Sequence, residues 1–153
     1  MATKDWNSAD NIVSSILIPQ VITGNGTDTE CTGVDGRGFQ EVVHEVHVGN
    51  SADTLAANLN IQLELEHSDD NSTYTDCTDA QITGAVTGAN TGTFALIDAP
   101  AEDSAIFSTV YRGPKRYSRV VINLTGNHAT GVAMAVKAIR RGPQYLPAIG
   151  GEY

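Results

Sequence analysis

Four histidines, His44, His47, His67 and His128, are the residues best suited to proton transfer near neutral pH. A hydrolytic triad would need one of them beside a nucleophile and an orienting acid. The chain has no Gly-x-Ser-x-Gly elbow, and neither Cys31 nor Cys77 lies in a nucleophile context. His44 and His47 are three residues apart on a predicted strand, so they face opposite sides and cannot share a metal there. The histidines are therefore expected on the wet faces of strands. "HSDDNS" (67–72) clusters oxygen ligands but lacks the spaced acidic loop and the bidentate Glu of a Ca²⁺ hand, and it reads as an Asx-turn. The runs "GNGTDTECTG" and "GVDGRG" carry no phosphate-binding Lys-Ser/Thr pair and read as loops. Glu64 and Glu66 could form a glycosidase pair, but their alternation along a strand predicts solvated carboxylates on an outer face. No catalytic residue, no cofactor and no metal site is expected.

The elements that must carry these residues are short strands. With 153 residues and an apolar fraction of 41%, the chain can close one core. "FQEVVHEVHVG" puts Val42, Val46 and Val48 on one face, with Glu41, Glu45 and His47 opposite. "NIQLELEHS" does the same with Ile61, Leu63 and Leu65, and "RYSRVVINLTG" with Val120, Ile122 and Leu124. "SILIPQVI" holds Pro19, which confines it to an edge or a bulge. "AQITGAV", "TFALIDA" and "GVAMAVKAIR" complete the set, and "AIFSTVY-RGPK-RYSRVVINL" reads as a hairpin. "NSADNIVSSIL" offers one N-terminal helical turn, and "SADTLAANLN" is too short and broken for more. The expectation is an all-β chain: a single antiparallel β-sandwich, jelly-roll-like, of about eight strands over 12–141, with extended arms at 1–11 and 142–153.

Cys31 and Cys77 are too few for a disulfide scaffold and lack zinc spacing. They read as two free thiols, with a bridge formed in an oxidising medium as the alternative. No apolar leader or membrane span is visible, which predicts a soluble chain made in a cytoplasm. Sequons at Asn25, Asn71 and Asn123 then have no glycosylation role.

Charge is unevenly distributed. The net charge is −9, yet residues 112–141 carry seven Lys or Arg and no acid, whereas residues 28–103 hold fifteen acids and one cation, Arg37. Either the fold has two oppositely charged faces or strands distant in sequence interleave. The acidic balance argues against nucleic acid as the main partner. Arg112, Lys115 and Arg116, flanked by tyrosines, and Arg140 and Arg141 have the composition of a protein interface. The competing expectation is that they simply offset the acidic strands beside them. Trp6, Tyr145 and Leu146 lie in the two arms and are candidate partner contacts.

Three stretches carry a family resemblance: "VITGNGTDTECTGVDGRGFQEVVHEVHVGNSADTL", "IQLELEHSDDNSTYTDCTDAQITG" and "FALIDAPAEDSAIFSTVYRGPKRYSRVVINLTG". With "AVKAIRRGPQYLP" they span about residues 20–147. Together they resemble head decoration, or cement, proteins of tailed bacteriophages and gene-transfer particles. The markers are the turn "SDDNSTY", the Tyr-x-Gly-x-Lys/Arg-Arg-Tyr loop and the Gly-Pro exit; the two cysteines depart from the pattern. The resemblance implies a β-sandwich bound to the outside of an icosahedral capsid, often as a trimer. Its partner would be the major capsid protein, its location the virion exterior after assembly in a bacterial cytoplasm. Neither nucleic acid nor membrane would be bound directly. The alternative is another virion module (tail, spike or fibre) that binds host glycan or tail proteins. A sandwich-fold hydrolase would need a convergent carboxylate or His pair.

Overall fold

The computed structural model describes residues 12–87 and 89–143. Ten strands follow in chain order: β1 (Ile12–Asn25), β2 (Asp28–Glu30), β3 (Val34–Asp35), β4 (Phe39–Ser51), β5 (Asn60–Ser68), β6 (Thr75–Asp76), β7 (Thr93–Ile97), β8 (Ile106–Tyr111), β9 (Tyr117–Thr125) and β10 (Asn127–Pro143). All pairings are antiparallel, in two sheets. One has the order β1-β10-β4-β8; the other has β2-β9-β5-β6, with β3 also on β9 and β7 also on β5. Because β2 and β3 line successive stretches of β9, and β6 and β7 successive stretches of β5, the ten strands fill eight positions. The first position pairs with the last, the second with the seventh, the third with the sixth and the fourth with the fifth. The chain is thus one long ribbon of paired strands, rolled so that its two halves face each other.

The alternation predicted from sequence sets the core. Val42, Val46 and Val48, Ile61, Leu63 and Leu65, and Val120, Ile122 and Leu124 are all buried, at 5% exposure or less. Each such side chain contributes ~1.5–3 kcal/mol on leaving water. A one-residue slip would turn every set outward, which is why these strands hold their register. β1 lies at a sheet edge and carries one extra residue relative to β10 between Leu17 and Gln20, where Pro19 stands, as expected of a strand proline.

Several local expectations fail. β8 and β9 form no hairpin: β8 pairs with β4 in one sheet and β9 with β5 in the other. Residues 112–116 are therefore an arch between sheets, long enough to cross the ~10 Å that separates packed sheets. The arch wraps the buried Tyr111, whose hydroxyl accepts the Lys115 N–H and donates to the Lys115 carbonyl, both at 3.1 Å. A Cβ at Gly113 would overlap that ring. "AQITGAV" is no strand either: Asp79–Gln81 form a 3₁₀ turn, and Ile82 makes one isolated bridge to Tyr111. The helical turn expected after Asn7 or Ser8 lies largely outside the described residues, and from Ile12 the chain is strand. β10 also runs through Gly142 to Pro143, two residues beyond the expected exit.

Three histidines overturn the expectation of wet faces. His44 and His128 are fully buried and His67 is 6% exposed, because each shares the inward parity of its strand. His44 Nε2 lies 2.8 Å from Ser118 Oγ, tying one sheet to the other. His128 Nε2 donates to the carbonyls of Asn60 and Thr125. His67 Nδ1 lies 3.0 Å from the Tyr111 hydroxyl. His47 alone faces outward, as the three-residue spacing requires, and sits 2.7 Å from Glu45. Burial holds His44 neutral, its pKa pushed down to about 3.

Cys31 and Cys77 are both free and buried, and burial pushes their thiols up to about 12. Cys31 N–H bonds to the Val120 carbonyl and Cys77 N–H to the Leu65 carbonyl, and Val120 and Leu65 are cross-strand partners. The cysteines thus lie in one row with two strands between them, ~14 Å apart at ~4.8 Å per strand. A disulfide requires less than about 7 Å between Cα atoms. They cannot bridge in this fold.

Candidate functional site

The two ends of the sandwich differ in charge. One end collects the turn between β3 and β4, the arch 112–116, the loop 69–75 and the last residues of β10. Six of the eight Lys and Arg among the described residues lie there: Arg37, Arg112, Lys115, Arg116, Arg140 and Arg141. The opposite end, made by loops 24–28, 51–60, 97–106 and 125–132, holds Asp28, Asp53, Asp98, Glu102 and Asp103 and no Lys or Arg. Along the strands, by contrast, charge is interleaved. β9 lies between acidic β2 and β5, so Arg119 pairs with both Glu30 and Glu66, and β10 lies beside β4, where Lys137 pairs with Glu45. Of the two expectations for charge, interleaving is the one found along the strands; the separation that exists lies between the two ends and not between two faces.

The basic end is built by cross-strand register. Arg141 is the register partner of Glu41, and Val42 is that of Tyr111, so β10, β4 and β8 bring Arg141, Glu41 and Arg112 together. The Glu41 carboxylate accepts the Arg112 Nε–H at 3.0 Å and the Arg141 Nε–H at 2.8 Å, with Arg141 Nη2 also bonded. These hydrogen bonds, Arg141 foremost, hold Glu41 below the usual carboxylate range. Asp35, on β3, accepts Arg116 through both Nε and Nη2 and also caps the Arg37 N–H; the Arg116 bonds hold its carboxyl low. Gly36 N–H bonds to the Arg116 carbonyl at 2.8 Å, and Gly38, at φ +86°, lets the turn reverse. Aromatic rings complete the setting: the Arg116 guanidinium lies 4.8 Å from the Tyr117 ring and Arg140 4.6 Å from that of Phe39. Lys115 Nζ donates to Thr75 Oγ1 at 2.7 Å.

All five basic residues singled out in sequence therefore meet at one end, each with an intramolecular partner. Arg112 and Arg141 nevertheless keep 59% and 54% of their side chains exposed. Two guanidinium groups on one carboxylate leave an excess positive charge and outward N–H groups. Trp6, Tyr145 and Leu146 lie outside the described residues. Asp35, Glu41 and Phe39 were missed. The alternation of β4 places Glu41 on an outer face, but only the register of β4 with β10 shows which cations it serves.

A hollow of about 470 Å³ opens between the β3–β4 turn and the arch. Arg37, Lys115 and Arg116 rim it, Phe39, Tyr111 and Pro114 supply apolar walls, and Glu41 and Asp69 also border it. The acidic end uses its carboxylates differently. Asp53 accepts the N–H groups of Thr130 and Gly131, Asp103 that of Ser51, and Glu102 those of Asp98 and Ala99. These carboxylates cap loops and meet no cation among the described residues.

Two further places hold groups capable of proton transfer. Glu64, expected to be solvated, is only 6% exposed on the outer face of the β5 sheet, with the Asn123 amide donating to it. Burial first, and Asp76 next, push its pKa up to about 7. It borders a hollow of about 670 Å³ with Asp28, Glu30, Glu66 and Asp76. The His44–Ser118 pair is fully enclosed and beyond the reach of a substrate. In "HSDDNS", Asp70 Oδ1 accepts the Ser72 and Thr73 N–H groups and the Ser68 hydroxyl, the Asx-turn read from sequence. No group of three or more His, Cys, Asp or Glu suited to a metal ion occurs among the described residues, and no described helix is long and apolar enough to cross a membrane. No protein-family model matches the chain, and no curated protein matches it.

Proposed function

We propose that this protein is a structural component of a phage-type particle. It would bind the outer surface of an icosahedral capsid, as a trimer, and brace contacts between major capsid subunits. The observation that carries the proposal is the polarity of the sandwich. The cations gather at one end, and the same end holds both the start of β1 at Ile12 and the finish of β10 at Pro143, which are neighbouring strands. The segments 1–11 and 144–153, with Trp6, Tyr145 and Leu146, therefore attach where the cations are. A folded body with a cationic surface at the end where both terminal segments attach suits a clamp, in which weak contacts on several subunits add.

The rolled strand order supports a jelly-roll, an architecture that recurs in viral shell proteins. Catalysis is not proposed: the His44–Ser118 pair is sealed in the core. The test is to strip the protein from purified particles, count its copies, and rebind full-length and Gly142-truncated chains to bare shells. Hundreds of copies per particle, with rebinding that weakens modestly in salt and strongly on truncation, are expected. A handful of copies would move the protein to a tail or spike, and absence from particles would overturn both assignments.

A further inference from the structure

We propose that the hollow at the basic end receives an acidic loop of the partner protein, with an apolar side chain seated between Phe39 and Pro114 and carboxylates held on the cationic rim. This rests on the shell-binding function proposed above and specifies the chemistry of its contact. The rim cations are Arg37, Lys115 and Arg116, and Arg112 and Arg141 stand next to it around Glu41. At about 470 Å³ the hollow falls within the ~300–1,000 Å³ of small binding pockets.

Three features favour a peptide carboxylate over a nucleic-acid phosphate. The apolar wall of Phe39, Tyr111 and Pro114 offers a phosphodiester nothing, whereas it suits an aliphatic or aromatic side chain at a loop tip. The rim is also mixed in sign, because Asp35, Glu41 and Asp69 interrupt the cations. A peptide can space its carboxylates to avoid them; the regular phosphates of a duplex cannot, and the chain's net charge of −9 repels a polyanion at longer range. Finally, Arg116 is already held by Asp35 and Tyr117, and Arg112 and Arg141 by Glu41, so little side-chain freedom is lost when an anion docks.

The experiment uses the full chain and three probes: a synthetic peptide with one Leu flanked by Asp and Glu, the same peptide with Asn and Gln instead, and a short DNA duplex. Amide chemical shifts should move at Gly36–Phe39 and Gly113–Arg116 with the acidic peptide. Its affinity should exceed that of the amide peptide and of the duplex by at least tenfold. Arg37→Glu, at an exposed side chain, should weaken it about tenfold while the protein's unfolding midpoint stays put. Equal binding of the amide peptide, tighter binding of DNA, or shifts confined to other surfaces would overturn the inference. Capture by bare shells is scored separately. If shells take up Arg37→Glu as well as the unmodified chain, the hollow is not the contact although shell binding stands; if shells take up neither, the shell-binding function itself fails.

Discussion

The two ends of this sandwich are made from the same kinds of loop, yet they solve the problem of charge in opposite ways. At the acidic end, Asp53 and Asp103 bind backbone N–H groups of neighbouring loops and Glu102 those of its own, so charge caps loop backbone and no cation among the described residues answers it. At the basic end, Glu41 and Asp35 bind side chains from distant strands, so charge records the register of β3, β4, β9 and β10. The difference matters for function. Carboxylates spent on capping serve the fold alone. Guanidinium groups that share one carboxylate remain half exposed and able to take another anion.

Breaking the arch should separate the ends most strongly. Tyr111→Ala empties a buried ring site and removes the hydroxyl that pins Lys115, a loss of about 3–5 kcal/mol in chemical denaturation. Tyr111→Phe keeps the ring but leaves the Lys115 N–H without its acceptor, for about 1–2 kcal/mol. Hydrogen exchange should quicken at 112–116 in both and stay unchanged at 125–131. Equal quickening at the two ends would show that they are not independent.

The body between the ends has its own signature. The pKa of His44 is pushed down to about 3 by burial, from 6.5, so between those values the unfolded chain binds a proton that the folded chain refuses. Stability is therefore full above pH 6.5 and falls as pH drops toward 3, by about 1.4 kcal/mol per unit for this group. Glu64 acts with the opposite sign: its folded pKa of about 7 lies above the unfolded 4.5, so its stabilisation is full below pH 4.5 and is lost as pH rises toward 7. The two slopes offset each other between pH 4.5 and 6.5. His44→Gln should leave a stability that falls as pH rises across that window, and Glu64→Gln one that falls as pH drops. Parallel changes in the two variants would refute the assignment.

A smaller effect distinguishes the ends by salt. Glu41 and Asp53 both titrate below the usual carboxylate range, Glu41 through Arg141 and Asp53 through the Gly131 N–H. For both, the stabilisation holds above the unfolded pKa and is lost as pH falls through the folded one. Salt screens an exposed ion pair more than a backbone cap. Carboxyl-carbon NMR in 0.5 M salt should therefore show the Glu41 midpoint moving up while that of Asp53 moves less.

Much of the sandwich was legible because period-two alternation reports burial directly: Leu63, Val46 and Ile122 point inward as their spacing requires. Where alternation was read by residue type instead of parity, it misled. His44 has the same parity as Val42 and Val46. Glu64 does lie on the outer face that its parity gives, and its burial there, beside Asn123 and Asp76, depends on residues distant in sequence. The arch was mistaken for a hairpin because local turn signals give loop length but not which sheet receives the next strand. The basic residues were legible as a cluster, whereas their partners Glu41 and Asp35 depend on pairings between residues 71 to 100 positions apart.

In the proposed function the basic end faces the partner and the acidic end faces away. Charge reversal at each end tests it directly: Arg37→Glu with Arg112→Glu at one, Asp28→Lys with Asp98→Lys at the other, each rebound to bare shells and quantified by co-sedimentation. The basic-end pair should lose at least tenfold in affinity and the acidic-end pair should stay within about twofold of the unmodified chain. Loss confined to the acidic-end pair, or equal loss in both, would contradict the account.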